Sequence, residues 1–111
     1  MASRDIDPHD AVDYIIKNAG RFAAAKAERV YLEEFRKSKK ALLMKASGES
    51  SGIGQEREAY AHPEYIQLLE GLKEAVQVEE KLRWDLVAAQ ARVEIWRTEQ
   101  ANNRNQDKAT R

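Results

Sequence analysis

The sequence predicts an all-α protein: a long antiparallel helical hairpin, coiled-coil-like, that assembles further into a helical bundle. Three observations lead to this prediction. Apolar residues recur at helical spacing for nearly forty residues after Pro8. Residues 48–54 form the stretch that is densest in glycine and serine, which is typical of a turn. From Pro63 onward, apolar residues follow a seven-residue repeat, the pattern of helices that pack along a seam.

The composition favours closely packed helices over a layered enzyme fold. The chain has 111 residues, of which 42% are hydrophobic, and 17 of these hydrophobic residues are alanine. A layered α/β enzyme of this length needs more large apolar side chains and more glycine and proline at its turns. We therefore expect a single non-enzymatic helical-hairpin domain over residues 1–101 and a mobile polar tail over residues 102–111.

The first helix is predicted over residues 8–47. Asp7 can accept backbone N–H groups at the helix start, and Pro8 suits the first turn, where a missing N–H costs nothing. Gly48 is the expected stop. The predicted inward face consists of Val12, Ile16, Ala19, Ala23, Ala27, Val30, Phe35, Ser38 and Leu42.

A turn over residues 48–62 and a second helix over residues 63–101 follow. Gln55–Ala61 could add one or two helical turns, and Pro63 disfavours a helical conformation at His62. The second helix carries two seam positions of a heptad. They are Tyr65, Leu72, Glu79, Leu86, Val93 and Gln100 at one, and Leu68, Ala75, Leu82, Ala89 and Trp96 at the other.

The second helix also has an apolar stripe away from this seam, which predicts self-association. The stripe consists of Trp84, Val87, Ala88, Ala91 and Ile95. A helix that is apolar on two sides needs neighbours on two sides. We therefore predict a homo-oligomer, most simply a two-fold dimer of hairpins, because a two-fold axis uses one patch twice. The alternatives are a bent hairpin, a tail folded over Trp84, or a different protein partner.

A basic block at residues 36–45 raises the question of nucleic acid. Arg36, Lys37, Lys39 and Lys40 could contact phosphates, so an accessory factor that binds single-stranded DNA is the alternative function. In a hairpin, however, this block lies beside the acidic residues that dominate positions 49–80. We expect the two blocks to neutralise each other, which disfavours nucleic acid as a partner. The net charge is zero, so no overall field attracts DNA or anionic lipid.

Two short patterns imitate catalytic or metal chemistry. Residues 48–52 match the letters of the G-x-S-x-G nucleophile elbow, which requires a strand before the serine, whereas a helix is predicted there. His9 with Asp7, Asp10 and Asp13 could supply metal ligands, but helix capping explains these acids with fewer assumptions. We expect no catalytic residue, no metal and no cofactor.

The remaining composition bears on the compartment. The chain contains no cysteine, which suits a reducing compartment. No apolar run approaches the roughly 20 residues of a membrane span, and residues 1–7 lack the apolar stretch of a signal peptide. The expected location is the cytoplasm, without a membrane partner.

Three short sequence segments in the second half of the chain resemble segments of known proteins. They are Ala-His-Pro-Glu-Tyr at 61–65, Leu-Arg-Trp at 82–84 and Ala-Arg-Val-Glu-Ile-Trp-Arg at 91–97. With them, residues 56–104 resemble small helical proteins encoded by tailed bacteriophages and prophages, often near DNA recombination genes. The resemblance implies a viral or prophage origin, the cytoplasm of a bacterial host, and work beside a strand-annealing recombinase. It carries no functional residues over.

Overall fold

The computed structural model describes residues 7–109 and consists there of three α-helices without a strand. Helix α1 spans Pro8–Ala46, α2 spans Gly52–Ala61 and α3 spans Pro63–Ala109. The predicted all-α fold is confirmed. The chain divides into two compact units, each described by itself below: Met1–Phe22 with Lys81–Arg111, termed the terminal unit, and Ala23–Glu80, termed the central unit.

Helix α1 begins where the sequence predicts. The Asp7 carboxylate accepts the backbone N–H groups of His9 at 2.8 Å and Asp10 at 3.4 Å. At the other end the helix stops at Ala46, one residue before the predicted boundary. Gly48 is not in the left-handed conformation of a glycine cap, since no described glycine has a positive φ. Instead, the Ser47 hydroxyl accepts the N–H of Glu49 at 3.0 Å and donates to Glu58 at 2.7 Å.

Most of the predicted turn is helix α2. Its N-cap is Ser51, whose hydroxyl accepts the N–H of Gly54 at 3.0 Å. His62 is extended, with φ −67° and ψ 135°, as expected of a residue before proline. The His62 Nδ1 accepts the N–H of Glu64 at 3.0 Å, so this residue both ends α2 and caps α3.

The end of α3 differs from the prediction. The helix continues to Ala109, whereas the sequence predicts an end at residue 101 and a mobile polar tail over residues 102–111. Residues 102–109 therefore prolong α3 and do not fold back over Trp84. Residues 110 and 111 of that predicted tail lie outside the described residues. The sequence does not indicate this extension, because residues 102–108 are polar and give the helix no apolar face there.

The predicted seam of α3 is confirmed within each unit. In the central unit Tyr65, Ala75 and Glu79 are buried, and in the terminal unit Ala89 is buried. The other seam residues are half-buried, except Gln100, which is exposed. The heptad could be identified because apolar residues hold nearly all of its positions.

The predicted inward face of α1 is wrong. Val12, Ile16, Val30 and Leu42 are exposed, and of the nine predicted residues only Phe35 is half-buried. The inward residues instead follow a strict heptad, and four of its ten members are polar, which concealed the repeat. They are Ala11, Asn18, Ala25, Leu32 and Lys39 at one position, and Ile15, Phe22, Arg29, Arg36 and Leu43 at the other.

Candidate interaction surfaces

The predicted assembly stripe is solvent-exposed along α3 of the terminal unit. Trp84 is 58% exposed, Ile95 49% and Val87 40%, and Ala88 and Ala91 are exposed as well. Exposure of this kind leaves the surface available to a partner, and the role of these residues in assembly stays a prediction.

The heptad explains why this stripe points outward. Leu82, Leu86 and Val93 face the seam of the terminal unit and are half-buried. At 100° per residue, Trp84, Ala91 and Ile95 lie close to the opposite side of the helix. The Arg83 guanidinium lies 4.9 Å from the centre of the Trp84 ring, which orients the indole and leaves more than half of the residue accessible.

One edge of the stripe borders a groove of about 510 Å³ with a mixed polar and apolar lining. Asp10, Tyr14, Asp85 and Arg92 line it together with alanines 11, 88 and 89. Lys81 donates to Asp85 at 2.9 Å. This ammonium and the Tyr14 hydroxyl hold the pKa of Asp85 below its usual range, and the same carboxylate raises the pKa of Lys81. Asp85 is therefore ionised at neutral pH, so this edge of the stripe carries an acid beside the arginine at position 92.

The basic block of the central unit is largely neutralised by carboxylates. Lys37 pairs with Glu34 at 3.4 Å within α1. Lys39 pairs with Glu64 of α3 at 2.7 Å, and Lys40 pairs with Glu56 of α2 at 3.0 Å.

Within this block, the neighbours of Lys40 also affect its pKa. The Tyr60 hydroxyl and the Glu56 carboxylate raise the pKa of Lys40, whose ammonium lies 4.6 Å from the Tyr60 ring centre. Arg36 is half-buried at the α1 seam. These contacts match the expected charge neutralisation, while contact of Arg36, Lys37, Lys39 and Lys40 with nucleic acid stays an untested prediction.

An ion pair joins α1 and α3 at the seam of the central unit, and the sequence predicts the position of only one of its two residues. Arg29 Nη2 donates to Glu79 Oε1 at 3.0 Å, and Arg29 Nε donates to Glu79 Oε2, which makes the pair bidentate. Arg29 Nη1 also donates to Glu33 at 3.0 Å. These carboxylates raise the pKa of Arg29. The heptad of α3 predicts Glu79 at the seam. It does not predict Arg29 there, because the predicted inward face of α1 differs from the observed one.

The two short patterns that imitate catalytic or metal chemistry include a residue with a structural role in the described chain. Asp7 caps α1, as expected. Ser50, the serine of the G-x-S-x-G letters, lies in the connection between α1 and α2, and no strand precedes it in the described residues. Residues 7–109 also hold no group of three or more His, Cys, Asp or Glu placed to bind a metal ion.

Two further large apolar residues are exposed at positions that the sequence does not mark as surface. Ile16 of α1 in the terminal unit is 71% exposed, and Ile53 of α2 in the central unit is 74% exposed. No helix of the described chain has a stretch both long and apolar enough to cross a bilayer.

Comparison with protein-family models, with curated proteins and with solved structures finds no match for this chain. A functional assignment therefore depends on the surfaces described above.

Proposed function

We propose that this protein is a non-enzymatic helical module that self-associates and presents a helical surface to other proteins. The observation that supports the proposal is the distribution of apolar side chains. Among the described residues, those that are apolar and buried are four alanines and Tyr65. Large apolar residues are meanwhile exposed on all three helices, including Ile16, Ile53 and Trp84.

Burial of these side chains provides the driving force. A large apolar side chain contributes about 1.5–3 kcal/mol when it is fully removed from water. The terminal unit carries Trp84, Val87 and Ile95 on one stretch of α3, and such a patch is typical of an interface. A two-fold dimer would cover this patch with a second copy of itself.

Sedimentation velocity over about 5 to 200 µM tests self-association. We expect the weight-average mass to rise from that of one chain toward that of two. Trp84→Lys should weaken the association by about tenfold or more, since roughly 1.4 kcal/mol corresponds to a tenfold change in Kd.

The matched control is Val78→Lys, which adds the same charge to an exposed apolar position of α3 outside the stripe. It should dimerise like the unchanged protein, and circular dichroism should show all three proteins helical. A chain that stays monomeric over the whole range, or a Trp84→Lys variant of unaltered mass, contradicts the proposal.

The proposed setting is the cytoplasm of a bacterial host, where the module would assist a phage or prophage recombination system. The support for this setting is the resemblance of residues 56–104 to small phage proteins. Co-expression with a strand-annealing recombinase tests it: the module should co-purify with the recombinase, and Trp84→Lys shows whether the same stripe is required.

A further inference from the structure

Four residues of the stripe on α3 have a palindromic spacing, which Lys81 and Thr98 continue at its two ends. Lys81, Trp84, Ala88, Ala91, Ile95 and Thr98 follow one another at intervals of 3, 4, 3, 4 and 3 residues. The sizes of the four central side chains are also symmetric: the large Trp84 and Ile95 lie on either side of two alanines. Such a stripe presents the same pattern in both chain directions.

We propose that two copies of this chain pack their α3 helices antiparallel through this stripe, about a two-fold axis midway between Ala89 and Gln90. This inference deepens the proposed self-association and depends on it, because it names the partner and the geometry. The axis places Ala88 opposite Ala91 of the second copy and Trp84 opposite Ile95. The alanines then form the close point of approach, and the large side chains fill the space on either side.

Charge placement favours the antiparallel direction. Asp85 and Arg92 border the same edge of the stripe, beside the groove described above. In an antiparallel pair, equal edges meet, so Arg92 of each copy comes within reach of Asp85 of the other. In a parallel two-fold pair, opposite edges of the stripe meet, so Asp85 and Arg92 of one copy would face neither residue of the other and this pairing would be lost.

The proposed contact is small. A stripe of six residues on one helix gives an interface at the small end of those that proteins use, below about 1,200 Å². We therefore expect a reversible dimer that dissociates on dilution.

Cysteine cross-linking tests the direction of packing, because the natural chain contains no cysteine and gives no background. Lys81→Cys and Thr98→Cys change the two ends of the stripe and leave its apolar centre intact. In the antiparallel dimer residue 81 lies level with residue 98 of the second copy. Two copies of residue 81 are then separated by seventeen residues, or about 26 Å along the helix, too far for a disulfide.

Under mild oxidation at a dimer-forming concentration, we expect a cross-link when the two variants are mixed and none when either is alone. Gln90→Cys is the matched control: it lies level with the axis but about 100° round the helix from Ala91, so it should not cross-link.

The other outcomes separate this inference from the proposed function. Cross-links formed by each variant alone indicate a parallel pair and overturn the inference. Absence of any cross-link in a mixture that sedimentation shows to be dimeric means that another face assembles, which overturns the inference and leaves self-association standing. A monomer at every concentration removes both.

Discussion

At the scale of single residues, the Arg29–Glu79 pair does more to specify alignment than to add stability. Glu79 is 7% exposed and occupies a heptad position between the apolar seam residues Ala75 and Leu82. Two charged groups at such a site lose hydration, and their attraction roughly compensates for that loss. A shifted alignment of α1 against α3 in the central unit would leave Glu79 without this guanidinium, so the pair selects one register.

Replacement of one or both residues of this pair should separate the cost of an unpaired charge from the net contribution of the pair to stability. Glu79→Leu alone leaves Arg29 without its bidentate partner, and we expect the melting temperature to fall by on the order of 5 °C. The double variant Arg29→Leu with Glu79→Leu should melt at or above the unchanged protein, because an apolar pair replaces a desolvated ionic one. Thermal melts followed by circular dichroism measure this order. A double variant that melts below the unchanged protein would show that the pair acts as a net stabilising contact.

At the scale of helices, the contrast between α1 and α3 shows what a sequence can predict. The α3 seam was identified because Tyr65, Leu72 and other apolar residues repeat every seven positions. The α1 seam was missed because Asn18, Arg29, Arg36 and Lys39 occupy it, while exposed Val12 and Ile16 imitate an inward face. Polar seam residues are recognised only once their partners are known, and those partners lie far away in the sequence.

The surface stripe was predictable for the same reason as the α3 seam. Trp84, Ala88, Ala91 and Ile95 have helical spacing of their own, and the confirmed seam fixes which side of the helix they occupy. What covers this side could not be derived, since an apolar face has the same pattern whether a second copy or another protein packs on it.

Two glycines inside the long helices lower stability without a packing role in the described structure. A Cβ added at Gly20 or Gly71 meets no atom within 4 Å, and neither residue has a positive φ. No other segment of the described chain therefore approaches Gly20 closely. Gly20→Ala and Gly71→Ala should each add about 0.5–1 kcal/mol to the free energy of unfolding, as measured by urea denaturation.

The control for these variants is Gly54→Ala. A Cβ at position 54 would lie 3.0 Å from the Ser51 hydroxyl that caps α2, so this variant should gain less or lose stability. A loss of stability in Gly71→Ala would mean that another part of the protein approaches α3 there.

At the scale of the whole molecule, equal numbers of acidic and basic residues give zero net charge, and local pairing decides how the chain responds to pH. The Lys39 ammonium lowers the pKa of the Glu64 carboxyl below its usual range, and the Lys81 ammonium does the same for the pKa of Asp85. A folded-state pKa below the unfolded value means that the unfolded chain binds more protons in acid. These pairs therefore contribute stability above about pH 5, which is lost as pH falls through the folded pKa values.

We expect the melting temperature to be level from about pH 5 to neutral pH and to fall below about pH 4. Glu64→Gln should reduce the melting temperature at pH 7 and make its fall in acid shallower, since this pair no longer titrates. Glu70→Gln, at an exposed position of the same helix, is the comparison and should keep the full acid response. Equal curves for the two variants would show that the Lys39–Glu64 pair does not contribute.

The seven-residue seams of α1 and α3 also limit how the length of this protein can change during evolution. One inserted residue in either helix turns the residues beyond it through about 100°, which moves their seam side chains into solvent. An insertion between Arg29 and Ala46, or between Pro63 and Glu79, also breaks the pairing of Arg29 with Glu79. Relatives should therefore differ in helix length by whole heptads, matched between α1 and α3. Single-residue insertions belong in the connection between Ala46 and Gly52, where no repeat has to be preserved.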